Sequence, residues 1–551
     1  MAMWTRREAM LAATSATLLP TAATSTDASN PTFRHGVSSG DPESTSIVLW
    51  TRVSGATGPV ECAWELADDP DFSRIVDAGT SRTGANRDFT VKVVAEGLEP
   101  GRTYHYRFRA LGNVSPPGRT RTLPEGRLEN LGLAIASCSN YPFGFFNAYE
   151  AIAEDPDVQF VLHLGDYIYE YGPDGYGGET GNRIGRAHEP AHEIVTLDDY
   201  RARHAQYKTD AGSRAMHAAH PLIAVWDDHE TTNNPWTNGA ENHQPEAEGA
   251  WQERRDASLQ AYFEWMPVRD PSAPHERAML WRHFEFGDLA SLITLETRHT
   301  GRSKQIEYAE HLGNLGNATD AEAFMRETVG APHRNMLSGE GRRFAAKAIH
   351  ESVTAKRPWR LIGNQIPMAR THAPPLDHPA FVDLIHDPDD PVGQELAYFE
   401  RLGELDLPIY LDPWDGYPRA REDFYRLCRD AGANDLLVLT GDSHSFWANT
   451  LFDDHGDRMG LELGTAGVSS PGDFESFGDD GAKIMDELLA AHNAEVMWTN
   501  CRNNGYVRLV LGRSTATADF VGVSTVLSRS YTVKTIHRAQ IERQQDQLRY
   551  A

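Results

Sequence analysis

Four apolar segments dispersed along the chain run straight into charged or sulfur-bearing residues. They are LGLAIASCSN (131–140), VQFVLHLGDYIYE (158–170), LIAVWDDHE (222–230) and LLVLTGDSHSFW (436–447). Uninterrupted apolar runs predict strands buried on both faces, and FNAYEAIAE (146–154) between the first two has helical spacing. The chain is therefore expected to be an α/β protein in this region. In such sheets ligands gather at the carboxyl ends of strands, so these ends are expected to converge on one site. A buried strand that ends in carboxylates and imidazoles must compensate them, because unpaired charge is costly to desolvate. One Gly-Asp pair is also what an ordinary helix N-cap looks like. Three Asp-centred ends and a Cys end in one chain predict a metal site.

The ligand types follow from local spacing. Asp166 and Tyr169 stand as D-x-x-Y, so one short loop offers a carboxylate and a phenol, hard ligands that suit ferric iron. Cys138 ends the first strand, where a thiolate completes such a site. Asp442 and His444 form D-x-H, which places both on one side of an extended segment. Asp228 and His229 are adjacent, so only one is expected to be a ligand. Asp228 is assigned to metal, and His229 to the leaving oxygen or the phosphoryl transition state.

Upstream, SIVLWTRV (46–53), ECAWELA (61–67), FTVKVVAEGL (89–98) and TYHYRFRALG (103–112) are β-branched and aromatic, broken by Gly, Pro and Asp. That spacing predicts a small β-sandwich over 31–125, with SPPGRTRTLPEGR (115–127) as a linker. The catalytic region is placed at 126–527 and a C-terminal tail at 528–551. Residues 175–220 and 300–345 are expected to be surface loops. Residues 1–30 are set apart as a targeting segment, because Arg6 and Arg7 precede a weakly apolar run to Ala23. A twin arginine in that position predicts export of a folded protein to the periplasm or beyond. No stretch reaches the length of a membrane span. Lys+Arg is 52 against Asp+Glu 79, a net charge of −27, which argues against a stable nucleic-acid complex. Cys62, Cys138, Cys428 and Cys501 show no C-x-x-C spacing, and the sequence leaves room for one disulfide without pairing it.

With these motifs in view, the chain resembles the PhoD-like alkaline phosphatase/phosphodiesterase family of the metallophosphoesterase group. The matching stretches are GVSSGDPESTSIVLWTRV (36–53), ASCSNYPFGFFNAYEAIAE (136–154), FVLHLGDYIYEYG (160–172), VWDDHETTNN (225–234), GNQIP (363–367) and LTGDSHSFWANTL (439–451). Ser137-Cys138-Ser139 stands where the wider group usually has D-x-H. The resemblance implies an all-β Ig/fibronectin-like sandwich before an α/β/β/α core. It also implies ferric iron held by Cys138, Asp166, Tyr169 and His444. Calcium would be held by Asp166, Asp228 and Asp442, with Asn364 and Asn234 as weaker candidates. Glu296-Thr297-Arg298-His299 departs from the family run at that position, but Arg298 is retained and is expected to grip the phosphate.

The expected function is hydrolysis of small phosphate esters by metal-activated water or hydroxide. The same motifs serve a phosphodiesterase or a phospholipase D-like hydrolase. A non-catalytic binding protein is disfavoured by the complete ligand set. A serine hydrolase is disfavoured by the lack of a G-x-S-x-G elbow.

Overall fold

The computed structural model describes residues 31–385, 390–544 and 547–551. The expected export segment lies outside the described residues. Two sheets face each other across the main core. The first has ten strands and is parallel at its centre, where Phe160–His163 runs between Leu131–Ala136 and Leu222–Ala224. The second has seven strands and is parallel through Ala290–Thr294, Trp359–Gly363, Leu436–Thr440 and Arg458–Gly464. Leu133, Ile135, Leu162, Ile223 and Val225 of the first sheet pack in one cluster with Leu292, Leu361, Leu437, Leu439 and Leu461 of the second.

The outer faces are covered by helices, which explains the uninterrupted apolar runs. Ala134, Ala136, Val161, Leu222 and Ala224 pack under Asn147–Glu154, Leu197–Tyr207, Ala211–Ala219 and Trp251–Trp265. Ile293, Ile362 and Val438 pack under Gly339–Thr354 and Pro418–Asp430. The result is the expected α/β/β/α layering behind an all-β N-terminal region.

The N-terminal region shares the core's first sheet. Val37–Gly40, Ser46–Arg52 and Thr90–Glu96 extend that sheet beyond Leu222–Ala224, joined through the parallel pair Gly40↔Leu222. A separate five-stranded sheet lies over them and includes Val60–Ala67, Ile75–Thr83 and Thr103–Ala110. Thr103–Ala110 alternates between buried and half-exposed residues and points Tyr104, Tyr106 and Phe108 inward. Ser46–Arg52 is buried almost throughout. One face meets the overlying sheet, while Trp50 Nε1 on the other donates to the Glu264 carbonyl at 2.8 Å.

Three expectations require correction. The stretch read as a linker contains the strand Gly118–Arg121, paired with Thr103–Ala110. The stretch read as a tail contains Val533–Gln544 and Gln547–Tyr550, which form the edge of the first sheet and bury Ile541 and Leu548 completely. Residues 175–220 carry helices Gly178–Ile184, Leu197–Tyr207 and Ala211–Ala219, with Arg203, His204, Tyr207 and Lys208 buried. These segments lack long apolar runs because polar partners inside the protein, or one-sided burial, stabilise them. All four cysteines are buried and free.

Candidate metal centre

The ends of the central strands meet where the two sheets face each other. Cys138, Asp166, Asp442 and His444 all adopt left-handed backbone conformations, with φ of 60°, 55°, 63° and 57°. This region is uncommon for residues other than glycine, and holding one there costs about 1–3 kcal/mol. Neighbouring loops supply the compensation. Cys138 N–H donates to the Gly165 carbonyl at 3.2 Å and Ser139 N–H to the Asp166 carbonyl at 2.9 Å. The two Gly-Asp motifs need glycine for space: a Cβ on Gly165 would overlap the Asp227 backbone, and one on Gly441 would overlap the Ser137 side chain.

Three overlapping groups of donors result. Cys138, Asp166 and His444 form the first, Asp166, Asp228 and His229 the second, and Asp227, Asp228 and Asp442 the third. Within each group the donor atoms lie within 4.8 Å of one another, and every residue is buried. Tyr169 belongs with the first group. Its hydroxyl donates to Asp166 Oδ2 at 2.9 Å, accepts from Ser470 Oγ at 2.9 Å and lies 3.2 Å from His444 Nε2.

The electrostatics of this cluster are those of a cation site. Burial, reinforced by the neighbouring Asp228 and Asp227 carboxylates against the pull of His229, raises the Asp166 pKa well above the usual range. Burial likewise raises Asp227, with Arg298 opposing it, and Asp227 Oδ2 is buried without a hydrogen-bond partner. Burial raises the Cys138 thiol and the Tyr169 phenol, and Asp166 adds to both. Asp228 is the exception, because His229 and Arg298 lower its pKa in spite of burial. A multivalent cation reverses this balance by favouring every deprotonated donor at once.

His229 is fixed at both ends. Its Nδ1 lies 2.7 Å from Glu170 Oε2, its Nε2 faces Asp228 Oδ1 at 3.9 Å, and its ring stacks on Tyr169 with centroids 4.1 Å apart. Burial disfavours the imidazolium, yet Asp228, Glu170 and Asp166 together raise its pKa well above the ordinary value.

Arg298 is fully buried behind the cluster, and each of its nitrogens meets a carboxylate. Nε lies 2.5 Å from Asp227, Nη1 2.9 Å from both oxygens of Asp412, and Nη2 3.4 Å from Asp442. The guanidinium expected to grip phosphate is thus engaged by acids on every nitrogen. Asn234 orients Asp228 through its backbone N–H at 2.9 Å, while its side-chain amide donates to Glu241 at 2.7 Å. The Asn364 side-chain oxygen accepts from Trp414 Nε1 at 3.2 Å, and its amide donates to the Ile366 carbonyl at 2.5 Å.

Several residues of this site escaped the sequence reading. Glu170 lies in the quoted D-x-x-Y segment, four residues beyond Asp166, but nothing in the spacing shows that it meets His229. Glu230 gathers the backbone N–H groups of Asp166, Tyr167 and Asp227 at 3.1, 2.6 and 2.8 Å, tying two strand ends together. Asp412 and Ser470 lie in irregular segments without a recognisable pattern.

Comparison with known proteins agrees with this architecture. The family model described as PhoD-like phosphatase matches residues 133–520, and the model for the N-terminal domain of PhoD-like phosphatase matches 19–124. Alkaline phosphatase D of Bacillus subtilis (strain 168) is 34% identical over 528 residues, covering 94% of this chain and 81% of that protein. A solved structure described as PhoD superposes with a TM-score of 0.77 at 33% identity, covering 95% of this chain and 92% of the other.

Proposed function

We propose that this chain, which belongs to the PhoD-like phosphatase family and is a phosphoric ester hydrolase, uses two resident metal ions to hydrolyse small phosphate esters by direct attack of water or hydroxide. The observation that carries this reading is the overlap of the three donor groups, in which Asp166 joins the first to the second and Asp228 the second to the third, so that two adjacent cation sites can share Asp166. The mixed set of Cys138, Tyr169, His444 and Asp166 fits a transition metal, and ferric iron is the candidate. The all-carboxylate set of Asp166, Asp228 and Asp442 fits a hard cation, and calcium is the candidate. Bound there, the ions supply charge neutralisation for the phosphoryl oxygens and an acidified water.

The chain's own residues do the rest. His229, oriented by Glu170, presents Nε2 to the cluster and holds a proton there for the departing alkoxide. Tyr169 stacks on His229 and restricts its ring. Arg298 holds Asp227 and Asp442 in place, so that the carboxylates do not repel one another apart. No Ser or Thr nucleophile is required, so hydrolysis is a single displacement. The same site accommodates a monoester or a diester chemically. Export by the twin-arginine route belongs to this proposal through Arg6 and Arg7. Among the described residues no helix is long and apolar enough to cross a membrane.

The test is elemental analysis of the purified protein alongside assays on one monoester and one diester. Stoichiometric iron and calcium with hydrolysis of either ester are expected. Full hydrolytic activity in protein stripped of both metals would overturn the two-metal reading.

A further inference from the structure

A basic cavity lies at the end of the central strands opposite the metal centre. It encloses about 200 Å³ between the strand Gly118–Arg121 and the loops that precede Phe160–His163 and Leu222–Ala224. The metal ligands follow the far ends of those same two strands. A rise of about 3.3 Å per residue over residues 159–166 separates cavity and metal centre by roughly 20 Å. Its walls include Arg119, Arg121, Gln159 and His220, and no Asp or Glu is among its lining residues. In a chain of net charge −27, that is a local reversal of sign.

Both arginines are set up for a ligand. Arg119 and Arg121 are two apart on a strand and so share one face. The Arg119 Nε donates to the Ala219 carbonyl at 3.0 Å, which anchors the guanidinium and leaves its terminal nitrogens outside that bond. The Arg121 Nε is buried and has no hydrogen-bond partner, and among the described residues no carboxylate pairs with this side chain. Burial alone lowers its pKa. The field reaches the neighbours, since His105 and His220 are both pushed down by burial and then by Arg119. Asp155 and Asp69 oppose that field at His220 and His105, but among the described residues no carboxylate pairs with either arginine, and guanidinium forks match tetrahedral oxyanions in shape and hydrogen bonding.

We infer that this cavity is a second, non-catalytic site for a phosphate-type oxyanion, held by Arg119 and Arg121 where the N-terminal β region meets the catalytic core. The choice of phosphate among oxyanions rests on the phosphatase reading, since monoester hydrolysis at the metal centre releases orthophosphate into the surrounding solution. The oxyanion chemistry itself does not depend on it. Binding at this place ties Gly118–Arg121 to the loops that feed the strands carrying Asp166 and Asp228. An occupant therefore stabilises the junction without touching the metals.

The experiment is equilibrium dialysis of radiolabelled orthophosphate against the metal-loaded enzyme, with the Arg119→Gln/Arg121→Gln variant in parallel and with sulfate and a non-hydrolysable phosphonate counterpart of glycerol phosphate as competitors. Wild type is expected to hold one more phosphate than the variant, or to bind at that site at least roughly tenfold more tightly, given the strength of charge-assisted hydrogen bonds. Turnover at low phosphate is expected to be equal in both. Competition by sulfate marks a site for free oxyanions. Competition by the glycerol phosphonate with indifference to sulfate would replace free phosphate with an esterified headgroup and overturn the orthophosphate assignment. Equal stoichiometry and affinity in the two proteins would overturn the site. Should the variant fail to fold, protection of Arg119 and Arg121 in the wild-type enzyme from phenylglyoxal by phosphate decides the matter. Unprotected modification at both arginines counts against the proposal. Because stoichiometry is read apart from turnover, failure here is distinguishable from failure of the hydrolase reading.

Discussion

Glu170 Oε2 lies 2.7 Å from His229 Nδ1, and both side chains are buried beside the acids of the metal centre. The Asn233 backbone N–H and the Asn242 side-chain amide, at 2.8 and 3.0 Å, hold the other oxygen of Glu170. The carboxylate is thus fixed, and it fixes the imidazole. With Asp228, it also lends negative charge that favours the protonated form of His229.

Replacing His229 with Ala is expected to lower kcat by roughly 100-fold or more, the usual contribution of a placed proton donor, while metal content stays near wild type. The comparison is kcat against elemental analysis on the same preparation. Metal loss in proportion to activity would make His229 a ligand, a role that its grouping with Asp166 and Asp228 permits geometrically.

Glu170→Gln removes one of the charges that raise the His229 pKa. Loss of a nearby negative charge destabilises the imidazolium, so the variant's His229 loses its proton at lower pH than the wild type's. The alkaline limb of the kcat profile is therefore expected to move to lower pH, whatever constant field the bound ions add. A limb that stays in place while kcat falls would show that Glu170 only positions the ring.

Asp166 belongs to two of the three donor groups. Asp166→Asn is expected to lose both metals and all measurable hydrolysis, because an amide cannot replace a bridging carboxylate. A variant with unchanged metal content and full activity would contradict the shared-ligand geometry.

Cys138 and Cys62 offer a paired test, since both are buried and free but only Cys138 adjoins Asp166 and His444. Cys138→Ala is expected to lower bound iron and to bleach any visible ligand-to-metal charge-transfer band. Cys62→Ala, in the β-region core, is expected to change neither. Identical behaviour of the two would make Cys138 a packing residue.

Arg298→Met leaves the buried Asp227 and the partly exposed Asp412 without their cation. Breaking such a pair from one side costs about 3–5 kcal/mol, so a marked fall in Tm is expected. Arg298→Lys should recover part of that Tm. A raised KM with Tm unchanged in the Met variant would instead restore the phosphate-gripping role read from the sequence.

The sequence alone determined the parts of this protein that local chemistry can encode. Uninterrupted apolar runs revealed the central strands because burial on both faces leaves no position for a polar residue. Their polar ends pointed to Cys138, Asp166, Asp228, Asp442 and His444, which the structure brings into overlapping groups, because a strand terminus is where such residues can gather. Only the tertiary structure decided what lies between distant segments. It joined the N-terminal strands to the core sheet through Gly40 and Leu222, and it made the supposed tail a sheet edge. It brought Glu170 to His229 and Arg298 to Asp227 and Asp412. The reason is physical. Hydrophobic periodicity repeats within a segment and can be read there, whereas an ion pair between segments is set by how the layers stack and leaves no repeating trace in either one.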